Sequence, residues 1–375
     1  MANYLTFSSP GSFTLATANA AKNWDGTLEY STDTSTWNVW DGTTTLSADE
    51  GKLYLRGTGN TKITGYPAAL GGKWDLIGSN IACVGNIENL LDYEAVANGE
   101  HPKMAGWCYV YMFTNCTSLT KAPELPATQL SSQCYACMFS GCRNLIEAPA
   151  LPATTLKNFC YSFMFRNCTS LIKAPALPAT TLTTNCYEYM FDYCLSLIKP
   201  PALPAMTLAN GCYRRMFADC KSLTRLPALP ATTLAPECYY EMFFGCTLIK
   251  VSATQNEEYK IPYRIPANGD GTTATDACRS MIGDSGGTFQ VTPSINTTYY
   301  TSNEVIYVDE EEPTATVITY DGKTIATLEA GQMATIKTAE TEVEHDIVVK
   351  AGSGGGVSSN YGKITYNQDK SIIVS

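Results

Sequence analysis

Histidine is almost missing from this sequence: two residues, His101 and His345, in a chain of 375. Charge is scarce as well, at 16% of residues, with a net charge of −10. No cluster of Lys or Arg is present to neutralise phosphates, which sets aside nucleic acid and anionic membrane surfaces as partners. No run of 18 apolar residues occurs, so no membrane insertion is expected. The opening MANYLTFSSPGSFTL lacks a basic segment followed by an apolar one. A secretory signal is therefore not expected, although a surface protein relieved of its signal would look the same. GxSxG, HExxH, a P-loop and a strand-to-helix GxGxxG are all absent. Gly283-Asp284-Ser285-Gly286-Gly287 copies the GDSGG of chymotrypsin-like proteases, but no histidine stands in the matching context, and a Gly-rich loop is the ordinary reading. Carboxylates are scattered without acid–base spacing. No catalytic residue, cofactor or metal site is expected, and the chain reads as non-enzymatic.

The sequence instead holds a repeat. Cys108, Cys134, Cys160, Cys186, Cys212 and Cys238 are spaced 26 residues apart, and each is followed by Tyr. Counting that Cys as offset 0, Met-Phe fills offsets 4 and 5 and a second Cys offset 8, in the pattern CYxxMFxxC. A stretch typified by SLIKAPALPATTL links one block to the next. A fixed period of this length marks a solenoid, whose units bury their apolar faces only against neighbours. Apolar residues at offsets 0, 1, 4, 5 and 8 predict a short helix. Two fixed prolines predict that the rest of the unit is extended, with few ladder hydrogen bonds.

Fifteen cysteines would suit a disulfide framework. Twelve of them occupy the two repeat registers, and pairing neighbours would make the units inequivalent. A ladder of free, buried thiols is expected, since Cys packs as a small hydrophobe. Zinc is a weaker rival: the single CxxC, Cys134 to Cys137, has no second pair to complete four ligands.

Residues 1–80 read as an N-terminal β-sandwich of about six strands, among them Phe13–Leu15, Leu28–Tyr30, Trp37–Trp40 and Leu53–Leu55, with Asp-Gly turns between them. Trp24, Trp37 and Trp40 suit a core; a sugar-stacking platform is the other use of such residues. Residues 81–295 read as the solenoid with its caps, six repeats spanning 108–250. A short helix near Asn86–Tyr93 belongs to the N-terminal cap, and Cys278–Ile282, a faint echo of the unit, to the C-terminal one. Residues 296–352 read as a C-terminal β-module with a hairpin at Asp321-Gly322. Residues 353–375 read as a Gly/Ser linker and a terminal β-hairpin, either adding strands to a partner or left as a tail. The fold class is an α+β repeat flanked by β-domains.

Offsets 2, 3, 6 and 7 vary while the apolar offsets hold, and variable positions on a regular frame are where a binding face can be written. Tyr111, Phe163, Tyr189, Tyr193, Arg214, Arg215 and Tyr240 are the candidate ligand-binding residues, because Tyr and Arg dominate recognition surfaces. Tolerated surface positions are the plain alternative. Lys121, Glu147, Lys173, Lys199 and Arg225 form a second column, at offset 13, expected to be solvated.

The unit CYxxMFxxCxSLxxAPxLPATTL resembles the BspA-like class of leucine-rich repeats, found in surface proteins of gut and oral bacteria and in their bacteriophages. The matching residues are Phe139-Ser140-Gly141-Cys142 with Leu145, and Phe165-Arg166-Asn167-Cys168 with Leu171. The resemblance covers about residues 83 to 250, and departs from the class in its two prolines per unit and its longer period. It implies a leucine-rich-repeat-type solenoid. The flanking β-segments are similar to modules of phage tail-associated proteins. Together these imply a structural or adhesion protein of a phage virion or tail fibre, used in host recognition. Its partners would be other virion or tail proteins and a host surface protein or glycan, with a homo-oligomer such as a trimer. A bacterial cell-surface adhesin is the alternative.

Overall fold

The computed structural model describes residues 4–49, 51–65, 72–251, 259–263, 274–283 and 286–287, and short strands beyond residue 305. Its first strands alternate buried and part-exposed residues, the period-two signature of a sheet with one face inward. They are β1 (Leu5–Ser8), β2 (Phe13–Thr17), β3 (Thr27–Ser31), β4 (Asn38–Val39), β5 (Leu46–Ala48), β6 (Lys52–Thr58), β7 (Trp74–Ile77) and β8 (Ile81–Val84). One sheet runs β4-β3-β6-β1-β8 and the other β5-β2-β7. Leu5, Phe7, Leu15, Leu28, Leu53 and Leu55 are sealed from solvent. Trp24, Trp40 and Trp74 are buried too, with ring centroids 5.0 and 5.3 Å apart along the series. Core is thus the use made of Trp24 and Trp40. Trp37 is half-buried and carries the Arg56 guanidinium 4.1 Å from its ring centroid.

The first sheet does not stop at β8. It takes up β9 (Leu119–Lys121) in parallel, from the first repeat unit. Between them lies α1 (Asn89–Ala97), interrupted by the extended backbone of Asp92. It begins three residues later than the sequence suggests, and among the described residues it is the single α-helix.

The expected helix in CYxxMFxxC is therefore corrected. In the third unit, amides at even offsets bond the carbonyl three residues back: Ser162 to Phe159, Met164 to Tyr161, Arg166 to Phe163 and Cys168 to Phe165, at 3.0–3.2 Å. Amides at odd offsets reach the next unit: Tyr161 to Cys186, Phe163 to Glu188, Phe165 to Met190 and Asn167 to Asp192, at 2.8–3.0 Å. Every amide of the block is satisfied, half within the unit and half between units, where an α-helix would satisfy all of them internally. The block is a staircase of tight turns. Offsets −1, 3 and 7 hold the left-handed conformation in all six units, with φ from 48° to 76°.

Its true period is four residues, which carries offsets 0, 4 and 8 onto one side and 1 and 5 beside them. All of these positions in all six units are at most 3% exposed. The linking half is extended, as expected. Around Leu151, residues 149–154 alternate between the interior and solvent. Its inter-unit contacts are sparse: isolated parallel bridges join Glu147 to Lys173, Lys173 to Lys199, and Thr181 to Thr207. Proline supplies no donor there.

Stacking in register puts like on like. Tyr rings at offset 1 lie parallel at 5.6–5.9 Å from Tyr109 to Tyr239, and Phe rings at offset 5 at 5.4–5.6 Å from Phe113 to Phe243. The second Cys is a donor as well as a filler. Cys142, Cys168, Cys194, Cys220 and Cys246 point Sγ at the Phe carbonyl of the preceding unit, 3.0–3.2 Å away. All fifteen cysteines are free, and all but Cys137 are buried.

Each end of the stack is covered by an imitation of a unit. At the start, Trp74 takes the place of the missing Phe: its amide bonds the Met112 carbonyl at 2.8 Å, its carbonyl accepts Cys116 Sγ, and its ring stands edge-on to Phe113. At the other end, Tyr239, Glu241 and Phe243 donate to Ala277, Arg279 and Met281. Ala277, Cys278, Met281 and Ile282, all buried, fill offsets 0, 1, 4 and 5 of a partial seventh unit. Cys278 thus stands where the other units have Tyr.

Further strands are β10 (Lys250–Val251), paired with β12 (Gly286–Gly287), and β11 (Tyr259–Tyr263), paired with β13 (Ile306–Asp309). Gly286 and Gly287 of the GDSGG run thus belong to a short parallel pair, and Asp284 and Ser285 lie outside the described residues. β14 (Thr316–Tyr320) pairs with β15 (Lys323–Leu328) across Asp321-Gly322 and with β17 (Ile347–Lys350). β16 (Ala334–Lys337) pairs with β18 (Ser371–Val374), so the end of the chain adds a strand within the molecule. Of the acidic run Asp309–Glu312, expected from sequence to be a solvated hinge, Asp309 ends β13 and the rest lies outside the described residues, as do the Gly/Ser stretch at 351–360 and His345.

Candidate functional site: the outer edge of the turn staircase

Residues 26 apart stand in columns along the stack. Of the variable offsets, 3 is half-buried in every unit. Val110, Ala136, Ser162 and Glu188 at offset 2 and Thr114, Asp192 and Ala218 at offset 6 are buried, against the expectation of a uniformly exposed set. The offset 3 column reads Tyr111, Cys137, Phe163, Tyr189, Arg215, Glu241. Phe163 and Tyr189 stack with centroids 4.6 Å apart and planes 8° from parallel. Arg215 continues the column, its guanidinium 5.5 Å from the Tyr189 ring and 5.8 Å from that of Phe244. At offset 2, Arg214 lies 5.0 Å from the ring of Tyr240. The structure therefore brings Phe163, Tyr189, Arg214, Arg215 and Tyr240 into one band across four units. Tyr193, at offset 7, is the most exposed candidate, at 42%. Tyr111 stands apart, with Cys137 between it and Phe163 in the column.

Acidic partners complete the band, and they were not singled out from sequence. Arg166 Nε donates to Asp192 Oδ2 at 2.9 Å, and Arg214 pairs with Glu237 at 2.9 Å and Glu188 at 3.9 Å. Arg215 sits among Asp192, Asp219 and Glu241. Reading down the columns would have shown the signal, because Arg166/Asp192, Glu188/Arg214 and Arg215/Glu241 are opposite charges one unit apart. Burial raises the pKa of the Asp192 carboxyl despite Arg166 and Arg215, and raises that of Glu188 despite its neighbours. For Arg215, burial works against the charge, but Asp192 and Glu241 outweigh it and hold the guanidinium above its usual value. Five carboxylates meet three guanidiniums and Lys221 on this surface, so it does not attract a polyanion.

The backbone adds a further observation. Offset 7, left-handed in every unit, carries Asn115, Gly141, Asn167, Tyr193, Asp219 and Gly245. Asn, Asp and Gly are the residues that enter this region at least cost. Offset 3 has the same backbone, with φ of 48–60°, yet carries Tyr, Cys, Phe, Tyr, Arg and Glu. Each such residue costs about 1–2 kcal/mol relative to a right-handed conformation. Part of that cost is returned by the ring stack and the ion pairs, which are worth about 0.5–1 kcal/mol each when half exposed.

Nothing in the band resembles a reactive constellation. Among the described residues, no group of three or more His, Cys, Asp or Glu is placed to hold a metal ion, and no helix is long and apolar enough to cross a membrane. The buried thiols are the opposite of activated nucleophiles, since desolvation pushes Cys134 up to about 12. Cys137, its partner in the CxxC, is pushed up to about 11 by the same cause. Compared with family models, with curated proteins and with solved structures, the chain finds no match.

Proposed function

We propose that this protein is a non-enzymatic structural and adhesion protein whose repeat stack is a leucine-rich-repeat-type solenoid. It belongs to a phage virion or tail appendage, made in the host cytoplasm, and presents the turn edge to a host surface protein or glycan. The observation that carries this reading is the choice of side chains at offset 3. A merely structural staircase would favour Asn, Asp or Gly there, as five of the six units do at offset 7. Phe163, Tyr189 and Arg215 are kept in the left-handed region for what they present outward. Rigid aromatic area beside guanidinium groups is the composition of recognition surfaces. Fifteen unpaired thiols favour a protein assembled in a reducing cytoplasm over an exported adhesin of a bacterial surface.

The test replaces Phe163 and Tyr189 together by Gly. Relief of two left-handed side chains, about 2–4 kcal/mol, is offset by loss of the ring stack, of the Arg166 and Arg215 contacts to the two rings and by the entropy cost of two glycines, so stability changes by no more than about 2 kcal/mol. Adhesion of the full chain to host cells, or retention on an array of host-surface glycans, is expected to fall at least tenfold. Adhesion unchanged in this variant, or absent from the unaltered chain, contradicts the proposal.

A further inference from the structure

A second concave site lies away from the turn edge, where the N-terminal region meets the first repeat unit. Residues 101–104 form one wall, residues 127–131 the other, and Glu88 lies between them, in a cleft of about 400 Å³. That volume is within the range of small-molecule sites. The Glu88 side chain is 1% exposed, and its hydrogen-bond partner among the described residues is His101, whose Nδ1 lies 2.8 Å from Oε2. His101 is itself 56% exposed, so the pair joins a sealed carboxylate to a side chain at the surface. Burying a carboxylate is costly, and an apolar side chain of similar volume serves stability as well or better. Glu88 is therefore not accounted for by the fold alone.

The lining decides the ligand class. Glu88 accepts hydrogen bonds, Lys103 only donates, and Thr128 and Gln129 do both. An anion is repelled by Glu88. A cation is disfavoured by Lys103. An apolar molecule would strip water from these groups without replacing its hydrogen bonds. A neutral polyol fits, because each of its hydroxyls can accept from one wall and donate to the carboxylate. The stack side of the cleft is held in place, since Ser131 Oγ donates to the Met104 carbonyl at 2.6 Å and so ties the two walls together.

We propose that this cleft is a saccharide subsite that takes a hexopyranose ring, with Glu88 accepting from one ring hydroxyl at its floor and Thr128 and Gln129 bonding others from the wall. It is independent of the turn-edge band, so either can fail without the other. The experiment is saturation-transfer NMR on the full chain with the methyl glycosides of glucose, galactose, mannose and N-acetylglucosamine. At least one is expected to bind with a dissociation constant of about 1 mM, the scale for a single ring. Glu88→Gln keeps the shape, removes the charge, and is expected to weaken that glycoside at least tenfold. Thr128→Val, at an exposed position on the wall, is expected to weaken it severalfold and keeps the test open if Glu88→Gln does not fold. No binding by any of the four, equal binding by the variants, or saturation by methylammonium or acetate in their place would overturn the proposal.

Discussion

Stability is expected to hold nearly constant from pH 6 to 8 and to collapse between about pH 9 and 11. The cause is the ladder of buried thiols. Burial raises Cys116 from an ordinary 9.0 to about 11, and Cys134, Cys186, Cys238 and Cys246 to about 12. A group that holds its proton more tightly in the fold stabilises the fold fully below its unfolded value. That stabilisation drains away as pH climbs towards the folded value, because only the unfolded chain releases the proton. Each thiol loses about 1.4 kcal/mol per pH unit within the window. The four at about 12 together remove about 4 kcal/mol between pH 9 and 10, against a total that is typically 5–15 kcal/mol. The stacked tyrosines move in the same direction, because burial raises their hydroxyls as well. Urea midpoints measured at each pH, with thiolate absorbance followed alongside, check this. A midpoint unchanged up to pH 11 would show that the thiols are solvated.

The largest single-residue effect is expected at the middle of the Phe column. Phe191 is sealed from solvent and stacks on Phe165 at 5.6 Å and Phe217 at 5.5 Å. Its carbonyl also receives the Cys220 thiol. Phe191→Ala is expected to cost about 4–6 kcal/mol, a core truncation plus two ring pairs. In an array held by nearest-neighbour interfaces, that loss falls on two adjacent junctions and divides the transition. All five tryptophans lie at or before residue 107, so their fluorescence reports on the N-terminal end. Far-UV circular dichroism of the variant should therefore move to lower denaturant than tryptophan fluorescence, while in the unaltered chain the two coincide. Coincident curves in the variant would mean that the molecule unfolds as one body.

The repeat and the buried residues at offsets 0, 1, 4, 5 and 8 were legible in the sequence; the burial of Val110, Ala136, Thr114, Asp192 and Ala218 at variable offsets was not. The conformation of CYxxMFxxC was not, for a physical reason. Apolar residues at 0, 1, 4, 5 and 8 satisfy a period of 4.0 as well as one of 3.6, and over nine residues the two differ by only about 80° of rotation. The discriminating signal was the Asn, Gly or Asp before the second Cys in five of six units, which marks a left-handed residue. The same feature explains the Gly-Cys and Asn-Cys steps on which the family resemblance rested. In the N-terminal region, the strands at Phe13, Leu28 and Leu53 showed in their alternation. β1, β7 and β8 were missed because their significance is tertiary: β7 supplies Trp74 in place of a Phe, and β8 passes its sheet on to the first unit.

The candidate residues were read from variability, and five of the seven fall in one band. Most of their acidic partners went unread because the pairs Arg166–Asp192, Glu188–Arg214 and Arg215–Glu241 are a full unit apart in sequence and adjacent only in the stack. The Glu88–His101 pair had no sequence signature at all: the two residues are thirteen positions apart, with α1 between them.

The turn staircase requires the odd-offset amides to leave their own unit. Through-hydrogen-bond scalar couplings in a perdeuterated sample observe this directly. The expected cross-peaks join the amide nitrogen of Tyr161 to the carbonyl carbon of Cys186, and that of Phe165 to Met190. Couplings from Phe165 to Tyr161, four residues back as in an α-helix, would contradict it.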